Sequence, residues 1–432
     1  MQYKSRTDLN TTQLPNPIPT MGPAGSIVTD PDFGNPIVRV TDGTTQTSPY
    51  STLLFMAGAG GSSDVNSWNT DSTVLAIQNS GGASLLFGFD PATLAVKRLY
   101  PTWSPGGGAV FSKTNPNTLF VQNGTKITKY DLTDRTLQGA PPSTLFCDFA
   151  NILPAPIKWS VFGGVEGMDS VATCAFSTTG GQGTGVYVCA YIDGSGYRMW
   201  NTLTGVVTGT FGPLGSISLP DQFYIHNVKA SKGPYWLVVS DSSHVTGTVN
   251  TGGPYFWDVD SLNVTAVSRV WSGGHFTTSD QYFFNAGGPG FGNFVYRQML
   301  TPAKTSLLLT ASQIPKGFVA PCDNHACLNG NQPVNMLFLT NTDTGKYTVL
   351  NPATGALSSY PSAWYNEVQG ISLDGSGLVY RFCHTFITGK SGNFSAANAI
   401  GVVDQQGKFF AFTSDWMGQT GRAADVYIVK LQ

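Results

Sequence analysis

Residues 271–285, WSGGHFTTSDQYFFN, contain a Gly-Gly hinge, a histidine, a short strand, a polar turn and an aromatic strand. A related stretch at residues 224–240, YIHNVKASKGPYWLVVS, precedes it in the chain. Two copies of one strand pair are typical of a protein that is built from repeated supersecondary units. The sequence therefore predicts a repeated β-unit, each copy of which begins near a histidine.

A second repeated pattern is a hairpin in which an apolar strand ends in Asp or Asn, a short turn follows and a second strand leaves. Copies occupy residues 85–100, 127–139, 197–212, 255–271 and 347–360, with a degenerate copy at 294–309. Asp and Asn suit the turn because their side chains cap backbone N–H groups and tolerate tight-turn angles. The turn residues recur at roughly 40 to 70 residues, a spacing centred near the 40 to 50 residues of a β-propeller blade.

Another strand pair precedes the hairpins, for example at residues 109–122 and 275–285, which gives four strands per unit. Near the C-terminus, residues 399–416 and 425–431 supply only three strands, and the isolated strand at 37–41, IVRVT, can supply the fourth. Pairing the two ends of the chain removes two exposed strand edges. No helical period of 3.6 residues is sustained anywhere.

These patterns predict an all-β chain: a β-propeller of seven four-stranded blades, whose ring is closed by the N-terminal strand in the last blade. Residues 367–386 hold an extra strand pair, so eight blades are the alternative. Residues 1–36 are polar and punctuated by proline, which predicts an extended N-terminal arm. Residues 37–432 are predicted to form a single propeller domain.

Composition excludes several classes of partner. Charged residues make up 11% of the chain, against about 25% in typical soluble proteins. The net charge of −2 offers no basic surface for nucleic acid, and no run of about 18 apolar residues could span a membrane. Polarity comes from Ser, Thr, Asn and Gln, which suits the exposed β-surface of a secreted protein. We therefore expect a secreted, cell-surface or periplasmic protein whose signal peptide has been removed.

The six cysteines predict disulfides, because low charge and abundant loops are typical of secreted proteins. Cys174 and Cys189 bracket two strands around a Gly-rich turn, which places them opposite each other in an antiparallel pair. The further pairs are Cys322 with Cys327 and, with a free state as the alternative, Cys147 with Cys383. Six buried thiols are one alternative to disulfides. Another is a zinc site at Cys322, Cys327 and His325, although a second cysteine pair is missing.

The chain has five histidines, His226, His244, His275, His325 and His384. In a propeller the inner strand of each blade starts at one face, and the loop between the second and third strands returns to that face. His226, His275 and His325 stand at predicted inner-strand starts. His244 falls in a second-to-third loop, and His384 ends a strand that opens a loop. All five are predicted to lie on one face, although a single histidine near a strand end is usually a surface or hydrogen-bonded residue.

Two roles follow for these side chains. Neutral imidazoles directed inward from different blades can bind a divalent metal, or one of them can be a general base. The predicted ligands of a calcium, manganese or zinc ion are His226, His275, His325, His384 and Gln369. The predicted catalytic residues are His226, His275, Arg381 and Tyr224. No GxSxG, HExxH or P-loop motif offers another kind of site.

In its strand rhythm and in strand pairs such as HFTTSDQYFF and ISLDGSGLVYRF, the chain resembles extracellular bacterial β-propellers. These include Tol-type and WD-repeat-like modules and, among enzymes, the oligogalacturonate and ulvan lyases. The resemblance covers residues 37–432 in architecture. It implies that histidines with Gln or Arg on one face hold a metal or act on a uronate. The chain departs from the lyases in the scarcity of basic residues near that face, where only Arg381 or a metal offers a positive group.

The expected function is that of a secreted propeller that binds an extracellular polysaccharide at a histidine-lined channel mouth and, as an enzyme, cleaves it by β-elimination. A metal or Arg381 would stabilise the enolate while a histidine or a tyrosine takes the proton. The alternative is a non-catalytic module, either a carbohydrate-binding protein or a surface-assembly subunit that meets other proteins. The clustered histidines favour the first function, and the low charge favours the second.

Overall fold

The chain folds into antiparallel β-sheets, and no α-helix occurs in the part that the computed structural model describes. The described residues are 3–45, 54–55, 67–79, 83–106, 108–165, 169–180, 186–217, 225–230, 236–241, 255–266, 276–278, 282–286, 295–299, 304–307, 309–316, 323–327, 336–342, 363–388, 399–420 and 424–432. Within these ranges, no helix has the length and apolar character needed to cross a membrane.

The described residues contain 31 strands and three short 3₁₀ helices. The N-terminal half has β1 (Ile27–Thr29), β2 (Pro36–Arg39), β3 (Leu54–Phe55), β4 (Val74–Asn79), β5 (Ser84–Phe89), β6 (Val96–Arg98), β7 (Ala109–Phe111), β8 (Thr118–Asn123), β9 (Lys126–Asp131), β10 (Ser143–Asp148), β11 (Trp159–Val165), β12 (Val171–Ser177), β13 (Val186–Ile192), β14 (Gly196–Asn201), β15 (Val206–Gly209) and β16 (Gly212–Ser216). The C-terminal half has β17 (Ile225–Ala230), β18 (Trp236–Asp241), β19 (Tyr255–Asp258), β20 (Val264–Ala266), β21 (Phe276–Thr278), β22 (Tyr282–Ala286), β23 (Val295–Met299), β24 (Lys304–Leu307), β25 (Asp323–Cys327), β26 (Met336–Thr342), β27 (Glu367–Ser372), β28 (Val379–His384), β29 (Gly401–Val403), β30 (Phe409–Ser414) and β31 (Asp425–Lys430). The 3₁₀ helices are Phe149–Asn151, Ala311–Gln313 and Trp416–Gly418.

The described strands pair into seven sheets, in which strands that follow one another in sequence are mostly neighbours. Sheets 1, 2, 4, 5 and 6 have four strands each: β3 to β6, β7 to β10, β17 to β20, β21 to β24 and β25 to β28. Sheet 3 has six strands, β11 to β16, and sheet 7 has the order β1-β2-β31-β30-β29. The prediction of an all-β chain is confirmed for the described residues, and most of these sheets have the predicted four strands.

Sheet 7 joins the two ends of the chain. In the antiparallel pair of β2 and β31, Ile37 lies opposite Val429 and Arg39 lies opposite Tyr427. Arg39 Nη2 also lies 2.6 Å from the Oδ2 atom of Asp425, and both side chains are buried. The predicted pairing of the N-terminal strand with the last strand is therefore confirmed. The number of blades and the closure of the whole ring stay predictions.

Four predicted hairpins are present as antiparallel pairs, at residues 85–100, 197–212, 255–271 and 294–309. The hairpin at 127–139 is wrong in its second strand, because β9 ends at Asp131 and its partner β10 begins only at Ser143. The two prolines at 141 and 142 lack the N–H that a strand needs, so pairing resumes after them. The hairpin at 347–360 lies outside the described residues. The extra strand pair at 367–386 forms the third and fourth strands of sheet 6.

The first strands of several neighbouring sheets lie beside one another: β11 contacts β17, β21 contacts β25, and β25 contacts β29. Gly163 of β11 shows how close this approach is, since a Cβ atom there would lie 2.7 Å from the carbonyl oxygen of Val228 in β17. Only glycine fits such a backbone contact. Between sheets 3 and 4, the buried rings of Trp200 and Trp257 meet at a centroid distance of 5.8 Å. The core therefore lies between the faces of neighbouring sheets.

The predicted disulfides are not formed by the described cysteines. Cys174 and Cys189 do lie opposite each other in β12 and β13, as predicted. The cysteines at 147, 174, 189 and 383 are nevertheless all free and buried. Burial raises the pKa of the Cys174 and Cys189 thiols well above the usual range, so these cysteines pack as small apolar side chains. Cys322 and the side chains of Cys327 and His325 lie outside what the structure describes, and the second pair and the zinc alternative stay predictions.

Candidate functional site

Three predicted histidines belong to, or directly precede, the first strands of consecutive sheets. His226 is the second residue of β17 in sheet 4, and His325 is the third residue of β25 in sheet 6. His275 directly precedes β21 of sheet 5 and, with Tyr224 and His244, lies outside the described residues. The side chains of His226 and His325 are not described either. The backbone thus places His226 and His325 on strands that contact the first strands of neighbouring sheets.

The other two predicted metal ligands lie in the outer half of sheet 6. Gln369 is in β27, where its Nε2 atom donates to the carbonyl oxygen of Trp364 at 3.2 Å. His384 is the last residue of β28, the strand at the opposite edge of the sheet from β25. Adjacent strands lie about 4.8 Å apart, so three spacings separate β25 from β28 by roughly 14 Å. Because the side chain of His325 is not described, an ion shared by His384 and His325 stays a prediction.

Residues of the N-terminal arm cover β28. Arg6 and Arg381 exchange two backbone hydrogen bonds, with N···O distances of 3.0 and 2.8 Å. The Asn35 side chain donates to the carbonyl oxygens of Lys4 and Phe382, each at 2.8 Å. An uncovered edge strand would present unpaired backbone groups to other chains. The arm therefore protects part of the outer edge of sheet 6 as well as extending sheet 7 through β1.

His384 is fully buried and pairs with Asp30 of the arm. The backbone N–H of His384 donates to Asp30 Oδ2 at 2.8 Å, and the ring Nδ1 lies 3.2 Å from the same oxygen. Desolvation lowers the pKa of His384, but the hydrogen bond and charge of Asp30, together with the charges of Glu367 and Asp32, outweigh it and raise the pKa. The imidazole therefore keeps its proton more readily than a free histidine and donates through Nδ1 to Asp30.

Asp30, Asp32 and His384 also have the donor types of a metal site. Within the described part of the chain, they are the group of three whose ligand atoms all lie within 4.8 Å of one another. Asp30 Oδ2 already faces two donors of His384, however, and Asp30 Oδ1 accepts the backbone N–H groups of Asp32 and Phe33 at 3.0 and 3.3 Å. Both carboxylate oxygens of Asp30 are thus engaged in folding the arm. We interpret the group as an ion pair that fastens the arm to β28.

Arg381 is fully buried, and its five N–H groups have acceptors within the protein. Its Nε and Nη2 atoms donate to the two carboxylate oxygens of Glu367, each at 2.7 Å. The remaining acceptors are Thr12 Oγ1 at 2.9 Å, the carbonyl oxygens of Asp8 and Asn10 at 3.0 and 2.9 Å, and Asp8 Oδ1 at 3.3 Å. A substrate carboxylate would have to displace these groups from a closed interior. The predicted catalytic role of Arg381 does not agree with this placement, and the residue anchors the arm instead.

The partners of this cluster were not foreseen from the sequence. Asp8 and Asp30 are 373 and 354 positions from the residues that they contact, Arg381 and His384. No local spacing links residues so far apart. The one local signal is the run TDPDFGN at residues 29–35, in which two carboxylates flank a proline. In such a run an Asp side chain typically accepts hydrogen bonds from backbone N–H groups that follow it, as Asp30 does.

Two solved structures are similar to this chain over nearly its whole length. The first is an oligogalacturonate lyase in complex with manganese, which is 11% identical, covers 98% of this chain and 99% of its own, and has a TM-score of 0.55. The second is an oligogalacturonate lyase from Vibrio parahaemolyticus, which is 10% identical, covers 94% and 96%, and has a TM-score of 0.54. The chain shares their β-propeller fold.

Other comparisons are weaker. The RRP9 WD40 repeats align over 100% of both chains with 8% identity and a TM-score of 0.44. No family model matches the sequence, and no curated protein matches it. Identity of 10–11% to the two lyases shows the fold alone. What these lyases bind and cleave is therefore a starting point for a proposal about this chain.

Proposed function

We propose that the chain is a secreted β-propeller that binds and cleaves a uronate-containing polysaccharide by β-elimination. The observation that carries the proposal is the position of His226, His275 and His325 in or next to the first strands of sheets 4, 5 and 6. The fold supports it, because it is shared with an oligogalacturonate lyase in complex with manganese. The low content of charged residues supports secretion.

The three histidines would hold a divalent ion. Imidazole is a common ligand of transition metals, and each of three consecutive first strands contains or directly follows one histidine. Manganese is the first candidate because it is bound by the similar lyase, with zinc and calcium as the other ions to test. When bound, the ion neutralises the uronate carboxylate and so makes the neighbouring C5 proton more acidic. Arg381 cannot take this role, because its donors are occupied.

The chain's own groups would move the proton. The phenol oxygen of Tyr224 as phenolate, or an imidazole that does not hold the ion, accepts the proton from C5 of the uronate. The electron pair of the C5–H bond forms a double bond between C4 and C5. The bond from C4 to the glycosidic oxygen breaks, and that oxygen leaves with its pair and takes a proton from water. The product carries an unsaturated sugar that absorbs ultraviolet light.

The proposal is tested by metal analysis of purified protein, followed by an ultraviolet assay on a panel of polygalacturonate, alginate and ulvan. We expect a bound divalent metal and a rise in absorbance on at least one polymer, which EDTA abolishes and the metal restores. Substitution of His226 or His325 by Ala should lower kcat/KM by about 10²- to 10⁴-fold. Protein without bound metal that produces no absorbance on any polymer would contradict the proposal.

A second candidate function is a non-catalytic module that assembles with other proteins, and the outer hairpin of sheet 3 favours it. Phe211, in the turn between β15 and β16, is 100% exposed, and Leu203 and Leu214 are 57% and 45% exposed. No charged residue occurs from 201 to 217. Exposed apolar side chains at a sheet edge without charged residues are a candidate protein contact. Sedimentation of wild type beside Phe211→Ser and the control Leu145→Ser tests this: only a shift in Phe211→Ser supports assembly through the hairpin.

A further inference from the structure

Sheet 2 carries a cleft that the proposed reaction does not use. Its volume is about 420 Å³, and Asn117, Lys129, Asp131 and Ser143 are among the residues that line it. Ligand pockets typically measure about 300 to 1,000 Å³, so the cleft can hold one or two sugar rings. It lies where β9 ends and β10 begins.

The cleft is remote from the histidine positions. Strands alternate in direction through sheet 2, so the connection from β7 to β8 and the connection from β9 to β10 lie at the same end of the sheet. That end is opposite to the one at which the first strand, β7, begins. His226 stands at the beginning of the first strand in sheet 4. A ligand in the cleft therefore binds at the other end of the sheets from a ligand at the histidines.

The lining groups are polar, and several have unused hydrogen-bonding capacity. The Lys129 ammonium and the Thr144 hydroxyl form no side-chain hydrogen bond with any residue that the structure describes. Asp131 accepts the backbone N–H and the hydroxyl of Thr133, which lowers the pKa of its carboxyl and keeps it ionised. Lys129 and Asp131 are two residues apart in β9, and Thr144 of β10 lies directly opposite Lys129. Their side chains therefore share one face of the sheet, and all three residues line the cleft.

Two other lining residues, Asn117 and Tyr130, are held in place by their neighbours. Arg135 donates to Asn117 Oδ1 at 3.1 Å and to Thr73 Oγ1 at 2.8 Å, which fixes the amide at the rim of the cleft. The Tyr130 ring packs on the Trp103 ring at a centroid distance of 4.9 Å. Sites whose polar groups are fixed before binding lose little freedom when a ligand arrives. Asn117 and Tyr130 therefore give the cleft two walls that are fixed before a ligand binds.

We propose that this cleft is a second carbohydrate subsite, which binds a uronic sugar of the polymer at the end of the sheets opposite to the histidines. Lys129 would pair with the sugar carboxylate, while Asp131 and Thr144 would exchange hydrogen bonds with its hydroxyl groups. Vicinal hydroxyls need adjacent donors and acceptors, which the lining supplies. The identity of the sugar rests on the proposed function. A long polymer that reaches both ends of the sheets would gain effective concentration at the histidines, whereas a short oligomer would not.

The test compares Lys129→Ala with Lys126→Ala, an exposed lysine three positions earlier in the same strand that does not line the cleft. Binding of polygalacturonate, alginate and ulvan is measured by affinity electrophoresis, and the KM and kcat for the best polymer and for its trisaccharide are measured where cleavage occurs. We expect Lys129→Ala to weaken polymer binding by about fivefold. It should raise the KM for the polymer but not the KM for the trisaccharide, and it should leave kcat unchanged. Lys126→Ala should behave as wild type.

The outcome is independent of catalysis. Selective loss of polymer binding in Lys129→Ala supports the subsite even when no polymer is cleaved, and a Thr144→Ala variant should show the same selectivity. Equal binding by Lys129→Ala, Lys126→Ala and wild type overturns it, as does the absence of polymer binding by the wild type. An active enzyme whose polymer and trisaccharide KM values respond equally to Lys129→Ala also overturns it.

Discussion

Arg381 and Glu367 form a buried ion pair in which Nε and Nη2 of the arginine donate to the two carboxylate oxygens at 2.7 Å each. The two residues belong to neighbouring strands, β28 and β27. Through its remaining N–H groups, Arg381 also binds Asp8, Asn10 and Thr12 of the arm. One arginine thus joins the outer strands of sheet 6 to the first residues of the chain, which is why its main effect should be on stability.

Arg381→Ala should destabilise the fold by about 3 to 5 kcal/mol, because it leaves the Glu367 carboxylate buried without a partner. Urea unfolding followed by tryptophan fluorescence measures the change. The control is Arg6→Ala, whose side chain is 31% exposed and pairs with Asp8 at 3.0 Å. That exposed pair should contribute no more than about 1 kcal/mol. Equal losses in the two variants would show that Arg381 is not the anchor.

Asp30→Asn should lower the melting temperature in a pH-dependent way. The folded pKa of His384 is raised, so the stability due to its charged state is fully present below the unfolded value of about 6.5. It is lost as the pH rises through the raised folded pKa. The difference in melting temperature between wild type and Asp30→Asn should therefore shrink above pH 6.5. Scanning calorimetry of both proteins across neutral and alkaline pH checks this, and a difference that grows with pH would contradict the ion pair.

Ile37→Ala should cost about 2 to 5 kcal/mol of stability, because the residue is 0% exposed and its loss leaves a cavity where β2 meets β31. The matched control is Ile27→Ala in β1, at 48% exposure, which should change stability by no more than about 0.5 kcal/mol. Urea unfolding measures both. Similar effects from the two substitutions would mean that the pairing of the chain ends does not support the fold.

Cys174 and Cys189 should not react with a thiol reagent in the native protein, since burial raises the pKa of both thiols and excludes the reagent. Peptide mapping after alkylation, with and without urea, checks this at each cysteine. Both peptides should be modified only in urea. A disulfide-linked peptide that contains both residues would contradict the free thiols of the structure.

The fold was predictable to the extent that it depends on local patterns. Alternating strands and Asp- or Asn-led turns predicted hairpins such as that of Ser84–Phe89 with Val96–Arg98. The isolated strand IVRVT was predicted to pair with the last strand because a strand edge needs a partner. The late start of β10 at Ser143, in contrast, was not predicted. It depends on where the two prolines without N–H groups fall in the connection from β9.

The candidate site was predictable in part. Periodicity placed His226 and His325 in first strands, but it could not separate His384 from them, because the order of strands within sheet 6 depends on long-range pairing. The sequence alone predicted that the Arg381 guanidinium is free to bind a substrate. Its acceptors in the arm are more than 350 positions away, so no sequence spacing could reveal that they occupy the guanidinium.

The measurement that tests the central claim most directly is the ultraviolet assay of His275→Ala beside His244→Ala on the polymer that the wild type cleaves, with metal content measured in the same samples. We predict that His275→Ala loses bound metal and most of its activity, whereas His244→Ala keeps both. Wild-type metal content and activity in His275→Ala would contradict a catalytic centre at the first strands.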